Sequence, residues 1–320
     1  MKGGVPITRI DDLYKIASQR AGATVSVACA EDVNVLEAVE AAKGIARFIL
    51  VGDAGKINSA AKAANADLAC VEVVNEPDPE AACKTAVGLI ASGRAQALMK
   101  GHVDTSVIMK AVLDKEAGMR TGRKLSHLAV FELPTYHKLL FVTDAAINIA
   151  PDLSAKAEII RNAVEAVLAL GINMPKVALL AAKEKPEHKM PVTMEAVELT
   201  EYHNVLQDFA RDPEPAPLVV DLDEMKFAMR YHLDGPLALD NAISRESVAI
   251  KGIESAVAGD ADILVCPDIE AGNILYKSLA FLASAKNGGV VLGAKRPVIL
   301  TSRADSAESK LISIALGILS

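Results

Sequence analysis

Short apolar runs of strand length alternate with segments of helical composition along most of this chain. Thr24–Ala30, Arg47–Val51, Ala69–Val74 and Ala95–Met99 are four such runs, each followed by a helical segment. Few folds accept that alternation. Strands separated by helices pair in parallel, and the helices then cover both faces of the sheet. Local signals agree. Asp32 is placed to cap one helix and Gly44 to end it. Gly52–Asn65 reads as a second helix, and Pro77 and Pro79 precede a third that stops near Gly93. A fourth runs from about Asp104 to Lys115. Apolar residues make up 51% of the chain but aromatics only 3%, with no Trp, so the core is built from Ala, Val, Ile and Leu. A chain of 320 residues suits one large or two modest α/β domains.

The rhythm changes after Gly118. Leu125–Leu133 and Leu139–Thr143 read as neighbouring strands, and a long helix from about Ser154 to Leu170 ends at Gly171. Lys176–Ala182 is a further strand, Glu184–Pro191 a charged loop, and Thr193–Ala210 a helix. The proline-rich stretch Asp212–Pro217 is a hard break. Leu218–Leu222, Ile263–Cys266, Val290–Leu292 and Val298–Thr301 read as later strands, and the last helix runs from about Ala304 to Leu316. The best domain boundary lies near Ala145–Pro151.

The formal net charge is -7, from 34 basic and 41 acidic residues. That balance disfavours nucleic acid and membrane surfaces, which need a basic field. No stretch approaches the ~20 apolar residues that cross a bilayer. Met1-Lys-Gly-Gly-Val-Pro has no apolar run behind its lysine, so no signal peptide is expected. Cys29, Cys70, Cys83 and Cys266 form no CxxC pair. A reducing, cytoplasmic location is the simplest expectation.

Three strand-to-helix junctions carry chemistry. Ligands of open α/β sheets bind at the carboxyl ends of strands, where helix N-termini offer N–H groups to anions. The first junction is Lys100-Gly101-His102-Val103-Asp104-Thr105-Ser106, with Lys110 one turn beyond Ser106. An ordinary capped helix with a solvated lysine fits it slightly better than an anion site. The second is Pro267-Asp268-Ile269-Glu270-Ala271-Gly272-Asn273, directly after Ile263–Cys266. Its carboxylates suit orienting a cation, holding a metal or acting as bases, and Asp268 or Asn273 equally suits an N-cap. The third is Leu300-Thr301-Ser302-Arg303-Ala304-Asp305-Ser306. Here Ser302 is placed to cap the last helix, with Arg303 in its first turn. A cation there opposes the helix dipole, and an anion gripped by the guanidinium resolves the conflict. The alternative is that Arg303 pairs with Asp305 or Glu308, and the anion reading is placed ahead of it.

Other motifs are missing. There is no G-x-G-x-x-G, and Gly88 and Gly93 have Walker-A spacing but are followed by Arg94-Ala95. The six histidines include no H-E-x-x-H and no close pair, so no metal site is expected. Cys266, at a strand end, reads as a small buried core residue rather than a nucleophile.

Pro-Asp-Ile-Glu-Ala-Gly-Asn-Ile-Leu-Tyr-Lys (267–277) closely resembles a signature of the phosphate acetyl/butyryltransferase family. So does Lys-Arg-Pro-Val-Ile-Leu-Thr-Ser-Arg-Ala-Asp-Ser (295–306). Asp-Gly-Pro-Leu-Ala-Leu-Asp-Asn-Ala (234–242) and Phe-Val-Thr-Asp-Ala-Ala-Ile-Asn (141–148) resemble two further segments of that family. Leu133-Pro134-Thr135-Tyr136 and the wording of 300–306 lean toward its butyryl branch.

The resemblance implies a two-domain α/β fold like that of isocitrate and isopropylmalate dehydrogenases, with mostly parallel sheets and an active-site cleft between domains. It implies a first domain of residues 1–145 plus 295–320, to which the C-terminal strand and helix return, and a second of 146–294. The implied reaction is acyl-CoA plus phosphate to acyl phosphate plus CoA, by direct transfer in a ternary complex. No cofactor or metal is implied beyond those substrates. A homodimer or larger homo-oligomer is also implied.

Residue by residue, the family's serine–arginine pair falls on Ser302 and Arg303, which become the catalytic candidates. Lys110, Thr105, Ser106, Glu270, Gly272, Asn273, Asp144 and Asn148 become substrate-binding candidates. Two positions depart from the acetyl branch. Lys110 stands where that branch has an arginine, keeping the charge but losing the planar fork. Ser309 stands where it has an aspartate proposed to deprotonate the CoA thiol, so no residue is assigned as general base. A short-chain phosphate acyltransferase, with butyryl-CoA favoured over acetyl-CoA, is the leading expectation. The alternatives are a metal- and NAD(P)-dependent β-decarboxylating dehydrogenase on the same fold and a non-catalytic acyl-CoA-binding protein.

Overall fold

The computed structural model describes residues 7–20, 22–211, 221–301 and 305–320. Contacts divide the chain into two compact units, one of Thr8–Val130 with Ala285–Ser320, the other of Phe131–Ser284 joined by Ile7.

In the first unit the alternation of the sequence becomes β1 (Thr24–Ala28), α2 (Val33–Ala41), β2 (Arg47–Gly52), α3 (Ala54–Ala63), β3 (Glu72–Asn75), α4 (Pro79–Ala91), β4 (Ala97–Lys100) and α5 (Thr105–Val112). A preceding helix, α1 (Ile10–Gln19), buries Ile10, Leu13 and Ala17 on one stripe. The unit is closed by β10 (Lys286–Leu292), β11 (Val298–Ile299) and α12 (Ala307–Leu319). The strand order is β3-β2-β1-β4-β11-β10. All these pairings are parallel except β10 with β11. Val25 lies opposite Phe48 on one side and Ala97 on the other, so β1 is central and buried on both faces. Asp32, Asp53 and Asp78 each accept the N–H three residues on, capping α2, α3 and α4. Ser26, fully buried in β1, donates to the carbonyl of Ala86 and ties α4 to the sheet.

β5 (Ser126–Glu132) carries the chain into the second unit. There β6 (Leu140–Thr143), β7 (Lys176–Leu180), β8 (His232–Leu237) and β9 (Ile263–Val265) lie in the order β6-β9-β7-β8, all parallel. The helices are α6 (Leu153–Leu170), α7 (Pro191–Arg211), α8 (Leu222–Ala228), α9 (Leu239–Ile243), α10 (Arg245–Lys251) and α11 (Ile269–Lys277). One π-helical turn, Ser278–Leu282, extends α11. Asp152 caps α6, and Gly171, in the left-handed region at φ 101°, ends it.

Two local expectations need correction. Leu218–Leu222 is not shown as a strand. Residues 218–220 lie outside the described residues, and Leu222 opens α8, capped by Asp221. The last helix starts at Ala307, not Ala304, because the Ser306 hydroxyl accepts the Ser309 N–H at 3.0 Å and so serves as its cap. Ser302 is therefore not the cap, and Arg303 precedes α12 instead of occupying its first turn.

Candidate active site

The predicted site residues that the structure describes fall into two groups, each following the carboxyl end of a strand. The first follows β6 and β9. The chain leaves β6 through Thr143, whose carbonyl accepts the Cys266 N–H at 2.7 Å. The next residue, Asp144, is 3% exposed. Its Oδ1 accepts the N–H groups of Ala146 and Ile147 at 2.9 and 3.0 Å. Its Oδ2 accepts the Asn148 N–H at 3.2 Å and the Asn148 side-chain amide at 2.6 Å. Asp144 and Asn148 thus fold the strand end into a tight loop. The Asp144 carboxylate spends four acceptor sites on that loop, which makes it an organiser of the site.

α11 packs directly on this loop. Asp268 caps α11 by accepting the Ala271 N–H at 2.8 Å. Ile269 donates its N–H to the Ile149 carbonyl at 3.0 Å, and the Asn273 side chain donates to the Ala145 carbonyl at 3.2 Å. Gly272 is the point of closest approach, because a Cβ there would stand 2.3 Å from the Asp144 carbonyl oxygen. The fold therefore gathers Asp144, Asn148, Gly272 and Asn273 into one cluster. Glu270 is exposed in the first turn of α11 and takes no part in those contacts. Cys266 is 3% exposed, and burial, with the nearby Asp144 and Asp268 carboxylates, pushes its thiol up to about 12. It is a protonated core thiol, as its position suggested.

A cavity of about 480 Å³ adjoins this cluster, walled by residues at the ends of β7 and β9 and by the starts of α7, α9 and α11. The sequence reading missed it. Its walls come from distant segments, and the one local signal is the i, i+4 pair Ala271 and Leu275 on a shared helix face.

The second group lies at the end of β4 in the other unit. Gly101 lets the chain pass over β1, since a Cβ there would meet the Cys29 carbonyl oxygen at 2.1 Å. Asp104 stands at the N-cap of α5 without a side-chain cap bond. Thr105, Ser106 and Lys110 are all exposed on α5. Lys110 lies 4.0 Å from Glu80 at the start of α4, so the amine leans toward that helix.

Ser302 and Arg303 lie outside the described residues. Their flanks are described. Thr301 is buried, and Ser309 holds Ser306 through its N–H and hydroxyl at 3.0 and 3.1 Å. Glu308 pairs with Lys286 at 2.8 Å. Lys310, 2% exposed, donates its amine to the Asp305 carbonyl. Among the described residues, no three His, Cys, Asp or Glu side chains cluster as metal ligands would, and no helix is long and apolar enough to cross a membrane.

Comparison with known proteins places the chain in a family. Residues 76–208 and 222–318 match the family model described as Phosphate acetyl/butaryl transferase. The chain is 45% identical to a probable phosphate butyryltransferase of Bacillus subtilis (strain 168), covering 97% of both chains. It is 44% identical to a phosphate butyryltransferase of Clostridium acetobutylicum, covering 92% of both. Among solved structures, a branched-chain phosphotransacylase from Enterococcus faecalis V583 superposes with a TM-score of 0.77 at 35% identity. That match covers 93% of this chain and 98% of the other.

Proposed function

Because the chain belongs to the phosphate acetyl/butyryltransferase family, we propose that it interconverts a short-chain acyl-CoA and phosphate with an acyl phosphate and free CoA. The observation that carries this is the match of the family model over residues 76–208 and 222–318. That span includes the strand ends where Asp144, Gly272 and Asn273 are gathered. The butyryl relatives favour a four-carbon acyl group, with acetyl-CoA a further substrate.

In one direction a phosphate oxygen attacks the thioester carbonyl, the C–S bond breaks, and CoA leaves as its thiolate. In the other the thiolate attacks the acyl phosphate carbonyl and the C–O bond to phosphate breaks. Both directions build negative charge on the carbonyl oxygen, which preorganised donors stabilise. In this reading Arg303 holds phosphate and Ser302 donates to the reacting oxygen. Thr105, Ser106 and Lys110 serve the phosphate or CoA side. Glu270 and Asn273 orient the substrate, on a helix that Gly272 seats against the Asp144–Asn148 loop. No covalent enzyme intermediate is needed, because fixing both substrates in line supplies much of the rate. The dehydrogenase-like fold type, a homo-oligomeric state and independence from cofactors belong to this reading and rest on the motif resemblance, and a cytoplasmic location belongs to it and rests on the cysteine usage.

The test is phosphate-dependent appearance of free CoA thiol from butyryl-CoA, with acetyl-CoA beside it. Release that requires phosphate is expected. No release from any short acyl-CoA would falsify the assignment.

A further inference from the structure

We infer that a second cavity, walled by α6, α7 and α8 in the second unit, is a binding site for a small zwitterion, an α-amino acid with an apolar side chain. None of its lining residues is a candidate for the acyl transfer, so the inference stands apart from that reading.

Size and lining set the body of the occupant. The cavity holds about 230 Å³. At ~30 Å³ for each molecule of liquid water, that is the volume of about eight waters, which admits a small amino acid and excludes CoA. Ile160 from α6, Leu199 and Leu206 from α7 and Leu233 from β8 supply an aliphatic wall. The chain has only six Phe and five Tyr, and Tyr202, Phe227 and Tyr231 all line this one cavity. The Phe227 and Tyr231 rings lie 5.4 Å apart between centroids. An apolar side chain gains by leaving water for such walls.

The polar groups set its charges. The Arg161 guanidinium lies over the Phe227 ring, 4.8 Å from its centroid. Its Nε donates to Glu165 at 3.2 Å, and its terminal nitrogens take no hydrogen bond among the described residues. Glu224 accepts the Tyr202 hydroxyl at 2.8 Å through one oxygen, and its other oxygen takes none among the described residues. Tyr231 is 8% exposed, and its hydroxyl has no hydrogen bond among the described residues. Burial pushes the Tyr231 hydroxyl up, while Arg161 draws it down and Glu224 adds to the rise, so the two opposite charges act at one hydroxyl. His203, 3% exposed, also lines the cavity, and its Nδ1 is buried without a partner. Buried polar groups without partners cost stability, and an occupant with polar atoms of its own recovers it. A simple anion would meet the Glu224 carboxylate. A simple cation would find the Phe227 face already taken by Arg161. A carboxylate and an ammonium on one carbon answer both walls, the first at Arg161 and the second at Glu224.

The experiment is calorimetric titration of the full chain with L-leucine and L-phenylalanine, and with the amine or acid that remains when either loses one charged group. These are isoamylamine and isocaproate for leucine, phenethylamine and hydrocinnamate for phenylalanine. Saturable binding of at least one amino acid is expected, with its amine and its acid each weaker by at least about tenfold. Arg161→Met and Glu224→Gln should each weaken the amino acid by a similar factor, and selectively. Arg161→Met spares the amine, and Glu224→Gln spares the acid. Both residues are half-buried, and melting temperatures check that each variant folds; if one does not, the other decides. No saturable binding of either amino acid would overturn the inference. So would an amine or acid that binds as tightly as its parent, or an affinity that neither variant changes. Release of CoA thiol, measured beside the titration, bears on the acyltransferase reading alone.

Discussion

The Cβ that Gly272 lacks would lie 2.3 Å from the carbonyl oxygen of Asp144. Alanine is the better helix former by ~1 kcal/mol, so in open space Gly272→Ala would stabilise α11. Here the methyl meets backbone that cannot swing aside. The expected result is destabilisation of about 1–3 kcal/mol as α11 lifts from the β6 loop. Activity should fall with it, since Asn273 and Glu270 ride on the same helix. Urea denaturation checks the first effect, and a raised midpoint would show that the contact is not binding.

Asp144→Ala strands the N–H groups of Ala146, Ile147 and Asn148 that the carboxylate now accepts. Each donor left without a partner costs about 1–3 kcal/mol where water is excluded. The expected outcome is loss of most activity together with a clear drop in melting temperature. Full stability in this variant would mean that the loop finds other acceptors.

Arg303→Ala should lower turnover by orders of magnitude while the melting temperature holds. The Michaelis constant for phosphate is the discriminating measurement, because a guanidinium that grips phosphate raises it when lost. Arg303→Lys keeps the charge and loses the bidentate fork, so partial recovery is expected. Wild-type turnover in Arg303→Ala would remove the residue from the site.

His203, 3% exposed in α7, accepts a hydrogen bond from the Gln207 amide, and burial holds its pKa down at about 4. Between about 6.5 and 4 the unfolded chain takes up a proton that the folded chain refuses. Stability therefore falls as pH drops through that window and levels off below it. Denaturant midpoints measured from pH 7.5 to 4.5 should show the slope, and His203→Gln should flatten it. An unchanged slope in that variant would assign the proton elsewhere.

Asp260 shows the opposite balance of forces. Burial raises its pKa, but the Lys176 hydrogen bond and the charges of Lys138 and Lys176, with a hydrogen bond from His137, outweigh burial and bring it to about 2. Its depressed value contributes stability above about 3.8 that is lost as pH falls toward about 2. Asp260→Asn should remove that acid limb and lower stability at neutral pH. Acid titration followed by circular dichroism tests both.

The strands and helices of residues 24–112 were legible because each carries its own signal, an apolar run followed by an Asp at the helix N-cap position. β8 was not, because Gly235 and Pro236 interrupt any strand pattern across it. It lies at the end of the strand order, where a missing N–H is tolerated. The cap of α12 was misplaced since Ser302 and Ser306 both fit an N-cap, and only the geometry chooses Ser306. The motif at 267–277 opens at the end of β9, and the local sequence also announced the Asp268 cap. What it could not announce was the role of Asp144, whose carboxylate turns inward, or the cavity, whose walls meet only in three dimensions.

The first unit is assembled from both halves of the message. Val298 in β11 lies opposite Leu98 in β4, two hundred residues earlier, while Phe131–Ser284 is continuous. On a ribosome, therefore, the unit begun first is completed last. Until the final segment is translated, the outer edge of β4 has no neighbour, and an unpaired edge of buried residues is a template for wrong partners. A chain released at Ser284 would keep a whole second unit and a first unit open along that edge, so premature termination should yield aggregates nucleated from the N-terminal strands.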